Sequence, residues 1–390
     1  MSMRYLAGFI SAFYNPLKVP DAPTSVSATA ADASATVSFT APADVGGGAI
    51  TSYGVQSTPG QLQATGATSP ITVTGLTNGT PYTFNVWALN SFGPSPFGVS
   101  NSTTPAAARG LFAGGTLSTN YETNVIDYVT IATTGNAVDF GTLTVNQSGP
   151  GGCASSTRGL VGGGSTGAGF TTVIGYITIA SGGGASSFGN LTSGRFGVAA
   201  CSSSTRGVFA GGGGGNTTMD YVTIATLGNA VSFGTLATGA SFLAGCASPT
   251  RGLFASPGTG VATIQYITIA TTGNSTNFGD LTSARNNAGA FSSSTRGVWV
   301  GGDSTTVMDY VTIASTGNAT NFGSLAYSVG YTAGCSSTTR GLVGGGAVSG
   351  TASSNISYVT IATTGNSTTF GSLSVSRRIL GSLSNGHGGL

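Results

Sequence analysis

Few residues of this 390-residue chain could perform acid–base, nucleophilic or metal chemistry. There is one histidine, His387, with ten acidic residues and four cysteines. A Ser–His–acid triad would have to use His387, and a zinc site built on several histidines has only this one to draw on. We therefore expect a non-enzymatic protein without a metal or cofactor, in which His387 is a turn residue.

The cysteines and three of the aspartates recur at equivalent places. Asp127, Asp220 and Asp309 each open the sequence Asp-Tyr-Val-Thr-Ile-Ala. Equivalent carboxylates in separate units cannot form a paired acid–base couple, so we interpret them as turn or strand-edge residues. Each cysteine lies five residues before an Arg-Gly pair, at positions 153, 201, 246 and 335. Equivalent positions rarely approach within disulfide distance, and we predict four free, buried thiols.

An arginine opens each of six units. The six are Arg109, Arg158, Arg206, Arg251, Arg296 and Arg340. If the units surround an axis, these residues form a ring of guanidinium groups. The structural interpretation, which we favour, is that each arginine caps a turn or bonds carbonyls of the neighbouring unit. The functional interpretation is an anion site for a phosphate or an acidic sugar.

The elements that position these residues are repeats. A tyrosine recurs at 128, 176, 221, 266, 310 and 358, followed in every copy by Thr at +2, Ile at +3, Ala at +4, Phe at +12, Gly at +13 and Leu at +15. Units of 44 to 48 residues with this pattern indicate four short strands. Such units bury their faces by stacking around an axis, which predicts a β-propeller.

The repeat resembles the kelch family. "RGVFAGGG" at 206–213 is similar to that family's apolar strand ending in a glycine doublet, and Tyr221 and Phe233 match its spaced aromatics. The first unit lacks a first strand before Arg109. We expect that strand to come from residues 379–387, so that the C-terminal strand closes six blades without exposed edges.

Residues 20–106 have a different pattern. Short alternating segments such as "ATVSFTAP" and "TPYTFNVWALN", separated by turn residues, indicate a β-sandwich. "GLTNGTPYTFNVWALNSFGPS" resembles the fibronectin type III family, with Leu76 and Tyr82 at its Leu-turn-Tyr corner and Phe39 where a Trp is usual. Trp87 points to the opposite face from Tyr82. It is either a partly covered surface aromatic or a contact with the next domain or a partner.

Together these patterns predict an all-β chain with three parts. Residues 1–19 form an N-terminal segment, residues 20–106 a fibronectin type III-like β-sandwich, and residues 107–390 a six-bladed kelch-like β-propeller. A net charge of +2 with a single lysine does not provide the clustered positive charge that nucleic-acid binding usually needs. No apolar run approaches the length of a membrane span. The segment 1–19 is expected to be a docking element through Tyr5, Leu6, Phe9, Phe13 and Tyr14.

All length variation between the repeats falls in one loop, which precedes the repeat tyrosine. Variation confined to one face usually marks a binding face. The loops are rich in Gly, Ser, Thr and Asn, which suit hydrogen bonding to sugars or protein backbone. Candidate ligand-binding residues in them are Tyr121, Glu122, Phe170, Asn216 and Asp303.

The whole chain resembles structural proteins of marine tailed bacteriophages, particularly cyanophages. The resemblance rests on "RYLAGFISAFYNPL", the fibronectin-like module and the "DYVTIATTGN" repeats. It implies a virion component such as a tail fibre, docked to other virion proteins and displaying its propeller to host-surface glycan or protein, with homo-oligomerisation left open. The alternatives are a capsid or tail decoration protein whose propeller packs on neighbours, a secreted adhesin, and a glycan-cleaving enzyme.

Overall fold

The structure is a computed structural model that describes residues 17–255 and 261–390. The docking residues expected at Tyr5, Leu6, Phe9, Phe13 and Tyr14 lie outside this range. The described residues form β-strands and contain no helix, and consequently no helix that could span a membrane. The chain divides into two compact units between Ala107 and Ala108.

The first unit is a β-sandwich of two sheets. Its strands are β1 (Thr24–Ala31), β2 (Ser34–Thr40), β3 (Ser52–Thr58), β4 (Gln63–Gly66), β5 (Ile71–Thr74), β6 (Thr83–Asn90), β7 (Gly93–Pro94) and β8 (Gly98–Val99). One sheet has the order β1-β2-β5 and the other β4-β3-β6-β7, with β8 also on β6. The predicted corner is present, because the Thr77 amide donates to the Tyr82 hydroxyl at 3.1 Å. Phe39 is buried 4.8 Å from the Tyr53 ring.

The second unit contains six four-stranded antiparallel sheets. From inner to outer strand, sheet one is β38 (Gly381–Ser384), β9 (Arg109–Ala113), β11 (Val125–Thr130) and β12 (Val138–Thr142). Sheet two is β13 (Gly151–Ala154), β14 (Arg158–Gly162), β17 (Val173–Thr178) and β18 (Ser186–Asn190). Sheet three is β19 (Ala199–Ser202), β20 (Arg206–Ala210), β21 (Thr218–Thr223) and β22 (Val231–Thr235).

The other three sheets repeat this order. Sheet four is β23 (Ala244–Ala247), β24 (Arg251–Ala255), β25 (Thr263–Thr268) and β26 (Thr276–Asp280). Sheet five is β27 (Gly289–Ser292), β28 (Arg296–Val300), β29 (Thr305–Thr312) and β30 (Thr320–Val329). Sheet six is β31 (Ala333–Ser336), β32 (Arg340–Gly344), β35 (Asn355–Thr360) and β36 (Thr368–Ser372). Short pairs β10 (Thr116–Leu117) with β37 (Arg377–Arg378), β15 (Ser165–Thr166) with β16 (Gly169–Phe170), and β33 (Ala347–Val348) with β34 (Thr351–Ala352) complete the unit.

The inner strands contact one another in cyclic order, from sheet one through sheet six and back to sheet one. Sheet one closes this cycle with two distant segments of the chain, because β38 pairs with β9 in the register Gly381↔Ala113 to Ser384↔Gly110. Residues 381–384 lie within the range that the repeat count predicts for the missing strand. We call the assembly of these six sheets the six-sheet ring.

The Arg-Gly pair explains how neighbouring sheets pack closely. A Cβ built on Gly207 of sheet three would lie 2.7 Å from the Sγ of Cys153 in sheet two. Cys201, Cys246 and Cys335 stand in the same relation to the glycine of the following sheet, and Phe291 and Leu383 take this place in sheets five and one. All four cysteines are free and buried. Burial raises the pKa of Cys153 to about 12, so these thiols remain protonated and unreactive.

The turn between the third and fourth strands of each sheet, such as "TLGN" at 226–229, makes hydrogen bonds to the neighbouring sheet. The Gly228 amide of sheet three donates to the Phe188 carbonyl of sheet two at 3.0 Å, and the Asn229 side chain accepts from the Asn190 amide at 3.0 Å. Equivalent Gly-to-Phe bonds occur at all six junctions. The outermost strand of each sheet is therefore covered at one end by the turn of the next sheet, which limits edge pairing with other chains.

Candidate functional site

The six repeat arginines tie each sheet to the next. Arg158 of sheet two lies over the Tyr176 ring, with 4.8 Å between Cζ and the ring centroid, and its guanidinium donates to the carbonyls of Ile224 and Ala225 at 2.9 and 2.8 Å. Arg109, Arg206, Arg251, Arg296 and Arg340 make the same cation–π contact and bond the next sheet. These contacts favour the structural interpretation over an anion ring, since each guanidinium is directed to a neighbouring sheet.

Asp127, Asp220 and Asp309 are completely buried within third strands, which corrects their interpretation as turn or strand-edge residues. Each is paired with a buried arginine: Arg377 with Asp127 at 2.7 Å, Arg195 with Asp220 at 2.8 Å and Arg285 with Asp309 at 2.6 Å. A hydroxyl donates to the second carboxylate oxygen, as Thr192 does to Asp220 at 2.7 Å. The arginines also donate to backbone carbonyls of the same sheet. These carboxylates are therefore fully engaged within the ring.

The sequence carries a signal for these pairs that residue-type reasoning missed. Each of the three buried arginines stands seven residues after a repeat Phe. When the repeats are counted as a closed cycle, the next repeat Tyr is preceded by Asp in each case, so that Arg377 of the last repeat corresponds to Asp127 of the first. In sheet four the same two positions hold Ala240 and Gln265. The Gln265 side chain there bonds the backbone of Thr238 in both directions, at 3.0 and 2.8 Å. The two repeat positions thus change together, from Arg with Asp to Ala with Gln, and this correlation is the sequence signal that indicates contact between them.

His387 lies beside inner strands at the end of the ring that carries the turns. Its Nδ1 accepts from the Gly389 amide at 3.0 Å. Nε2 therefore carries the proton and donates to the Ala154 carbonyl at 2.8 Å. Burial lowers the pKa of His387 below its usual 6.5. This neutral imidazole is held by backbone groups of the ring.

We expect stability to fall on acidification because of His387. The unfolded chain takes up a proton near pH 6.5, whereas the folded chain does so only at lower pH. The free energy of unfolding should thus be greatest above pH 7 and fall by up to about 1.4 kcal/mol per pH unit below 6.5. Urea denaturation between pH 7.5 and 5 measures this slope. His387→Gln has no titrating ring, and an unchanged slope in that variant would contradict the assignment.

The variable loops and the connections between sheets lie at the opposite end of the ring, which we call the loop end. Tyr121 and Phe170 are 72% and 59% exposed there. Asn216 instead accepts from the Thr218 amide at 2.7 Å, and Asp303 accepts from the Asn286 amide at 2.7 Å. Glu122 is half-buried and forms a bridge with Thr116. These five predicted residues lie on four different sheets and are not brought together in one pocket.

A pocket that sequence reasoning missed lies on the axis at the loop end. We call it the axial mouth. It is formed by the connections into successive inner strands and lined by residues such as Phe242, Asn287, Tyr331 and Ile379. An arc of rings borders it, with Phe196 centred 4.8 Å from Phe242 and Phe242 centred 5.4 Å from Tyr331. Phe170 extends this arc outward by stacking on Phe196 at 6.0 Å.

Trp87 occupies the outer face of β6 in the first unit. It is half-buried, because its ring covers Gly54 of β3 and meets the Phe97 ring edge-on with centroids 5.7 Å apart. Phe97 itself is 56% exposed. These contacts describe a partly covered surface aromatic, and a role in partner contact remains a prediction.

Comparison with known proteins concerns the first unit. Residues 21–103 match the family model described as fibronectin type III domain, which agrees with the two-sheet sandwich and the Tyr82 corner. Comparison with curated protein sequences found no match. Residues 21–103 of this chain therefore constitute a fibronectin type III domain.

Proposed function

We propose that this chain is a non-enzymatic structural protein of a tailed bacteriophage virion, a tail fibre or similar appendage. In this proposal the six-sheet ring is a six-bladed kelch-like β-propeller displayed for binding to the host surface. The fibronectin type III domain is the spacer, and the N-terminal segment docks the chain to other virion proteins. The resemblance of the whole chain to marine phage proteins supports the virion assignment.

The observation that carries the binding role is the asymmetry between the two ends of the ring. The turn end is uniform, since the six Arg contacts and the six Gly-to-Phe bonds repeat from sheet to sheet. The loop end varies in length and exposes Tyr121 and Phe170. Exposed aromatics on a rigid support lose little entropy on binding, which suits recognition.

The interactions of the ionisable groups support a non-enzymatic role, because these groups are held in structural contacts within the ring. Asp127, Asp220 and Asp309 are buried in ion pairs, and His387 is a neutral donor to a backbone carbonyl. The thiols are buried, and desolvation raises the pKa of Cys246 as well as that of Cys153. Each of these groups has a structural use in the ring.

The test exploits the buried thiols. A phage carrying Tyr121→Cys has one exposed cysteine at the loop end, whereas the four native cysteines are buried. We expect a maleimide dye to label this chain on intact purified particles of the variant and to leave the same chain unlabelled on wild-type particles. Mass spectrometry of the particles locates the label.

Each other outcome has a distinct meaning. A Tyr121→Cys chain that is present in particles but stays unlabelled until the particles are disrupted would favour the decoration protein, whose loops are packed against neighbours. Absence of the chain from purified particles would overturn the virion assignment. Labelling of the isolated Tyr121→Cys chain controls for reactivity of the new thiol.

A further inference from the structure

The axial mouth is built on an unusual backbone. Six equivalent residues, one per connection, occupy the left-handed region of φ: Gly149 (65°), Gly197 (69°), Phe242 (60°), Asn287 (60°), Tyr331 (57°) and Ile379 (58°). Their backbones are hydrogen-bonded around the axis, as in Gly149 N to Ile379 O at 2.7 Å and Phe242 N to Gly197 O at 2.8 Å. Four of the six thus carry side chains in a conformation that glycine adopts most easily.

The fold does not require those four side chains. Sheets two and three are entered through Gly149 and Gly197 with the same left-handed backbone, so glycine satisfies the geometry. A bulky or β-branched residue with positive φ is a true outlier, and such outliers cluster at ligand sites. The side chains of Phe242, Tyr331 and Ile379 therefore call for a reason beyond the backbone.

The two glycines make room for the aromatic arc. A Cβ on Gly149 would lie 2.7 Å from the Phe196 ring, and one on Gly197 would lie 3.1 Å from the Phe242 ring. The rings thus lean across the glycine side of the axial mouth. Phe196, Phe242 and Tyr331 are each only half-buried, which leaves ring surface free for contact.

Asn287 lines the axial mouth between Phe242 and Tyr331. Its Oδ1 atom is buried and has no hydrogen-bond partner among the described residues, which is unfavourable for a polar atom. Rotation of this side chain would turn that acceptor toward a bound molecule. The residues that line the pocket include no charged side chain. The site therefore combines aromatic surface, an amide oxygen without a hydrogen-bond partner, and a lining without charged side chains.

From this geometry we propose that the axial mouth binds a neutral sugar ring. The Phe242 and Tyr331 rings are nearly perpendicular, with 86° between their planes, so the apolar C–H face of a pyranose would stack on one ring while its edge contacts the other. A hydroxyl would donate to Asn287 Oδ1 once that side chain has rotated toward the sugar. An anionic sugar would find no cation in the lining of the pocket. The inference deepens the proposed host-surface role, on which it rests, by naming the chemical class of the ligand.

The test uses the full chain and neutral methyl glycosides of glucose, galactose, mannose and N-acetylglucosamine, followed by saturation-transfer NMR. We expect transfer from the protein to ring protons of at least one glycoside. Phe242→Gly and Tyr331→Gly should weaken binding about tenfold. Their melting temperatures should be unchanged or higher, because glycine relieves the left-handed strain. Leu227→Ala, an exposed apolar residue at the turn end, is the matched control and should bind normally.

Several results would overturn the proposal. These are no transfer to any neutral glycoside, equal binding by the glycine variants, or preference for glucuronic acid over glucose. Transfer to N-acetyltyrosine amide alone would reassign the axial mouth to a protein side chain. The purified chain answers these questions without particles, so sugar binding by a chain absent from virions would remove only the virion assignment.

Discussion

Deletion of residues 379–390 is expected to unfold the six-sheet ring. The deletion removes β38, which pairs with β9 and lies between the inner strands β13 and β31. It also removes buried Leu380 and Leu383, each worth about 2–5 kcal/mol when lost from a core. The combined loss of more than about 5 kcal/mol is comparable to the whole stability of a typical domain.

Circular dichroism and limited proteolysis measure this outcome, and a peptide of residues 379–390 supplied in trans provides the control. Addition of the peptide should restore protease resistance, because it replaces the missing strand beside β9. The same peptide with Leu383→Asp should not, since a carboxylate would be buried against the site of Gly159. A truncated chain that melts like the intact chain would refute closure by β38.

Asp220→Ala is expected to destabilise the chain by about 3–5 kcal/mol, because it leaves the Arg195 guanidinium buried without its carboxylate. The double variant Arg195→Ala with Asp220→Gln reproduces the residues that sheet four already has, Ala240 and Gln265. We expect it to recover most of the loss, to within about 1–2 kcal/mol of wild type, since a buried ion pair and its neutral replacement are often similar in stability.

Urea denaturation of the wild type, both single variants and the double variant closes a thermodynamic cycle. A double variant as unstable as the sum of the two single variants would contradict coupling between Arg195 and Asp220. The pair at Arg285 and Asp309 offers an independent repetition in sheet five, with a buried Arg–Asp contact of 2.6 Å.

The sheets and their order can be predicted from the sequence because they depend on which side chains recur at fixed spacings in the repeat. Tyr, Ile and Phe at fixed spacings fix which residues face the core, and the constant distance from Tyr to Arg fixes the strand register. The third strands begin three to five residues before the repeat tyrosine, as at Val125 and Thr305. The loops are thus shorter than the spacing suggests, because Ile126 and its equivalents pair with the second strand.

The candidate site was less predictable for a physical reason. The left-handed positions of the axial mouth hold Gly, Phe, Asn, Tyr and Ile, which share no side-chain property and are alike only in backbone conformation. The buried ion pairs escaped for a different reason, since an aspartate beside a strand tyrosine is more often solvated. Only its correlation with a distant arginine distinguishes Asp220 from such a residue.

Closure by β38 also sets the order of events during synthesis. The segment 381–384 leaves the ribosome about 270 residues after β9, which at typical rates of 5–20 residues per second is a delay of roughly 13 to 54 s. During that interval sheets two to six are synthesised, and they can be complete before the partner of β9 appears. Ile379 of the axial mouth arrives with the same late segment. A nascent chain therefore cannot present the assembled axial mouth before it has sealed itself, and only finished molecules would be competent to engage a ligand there.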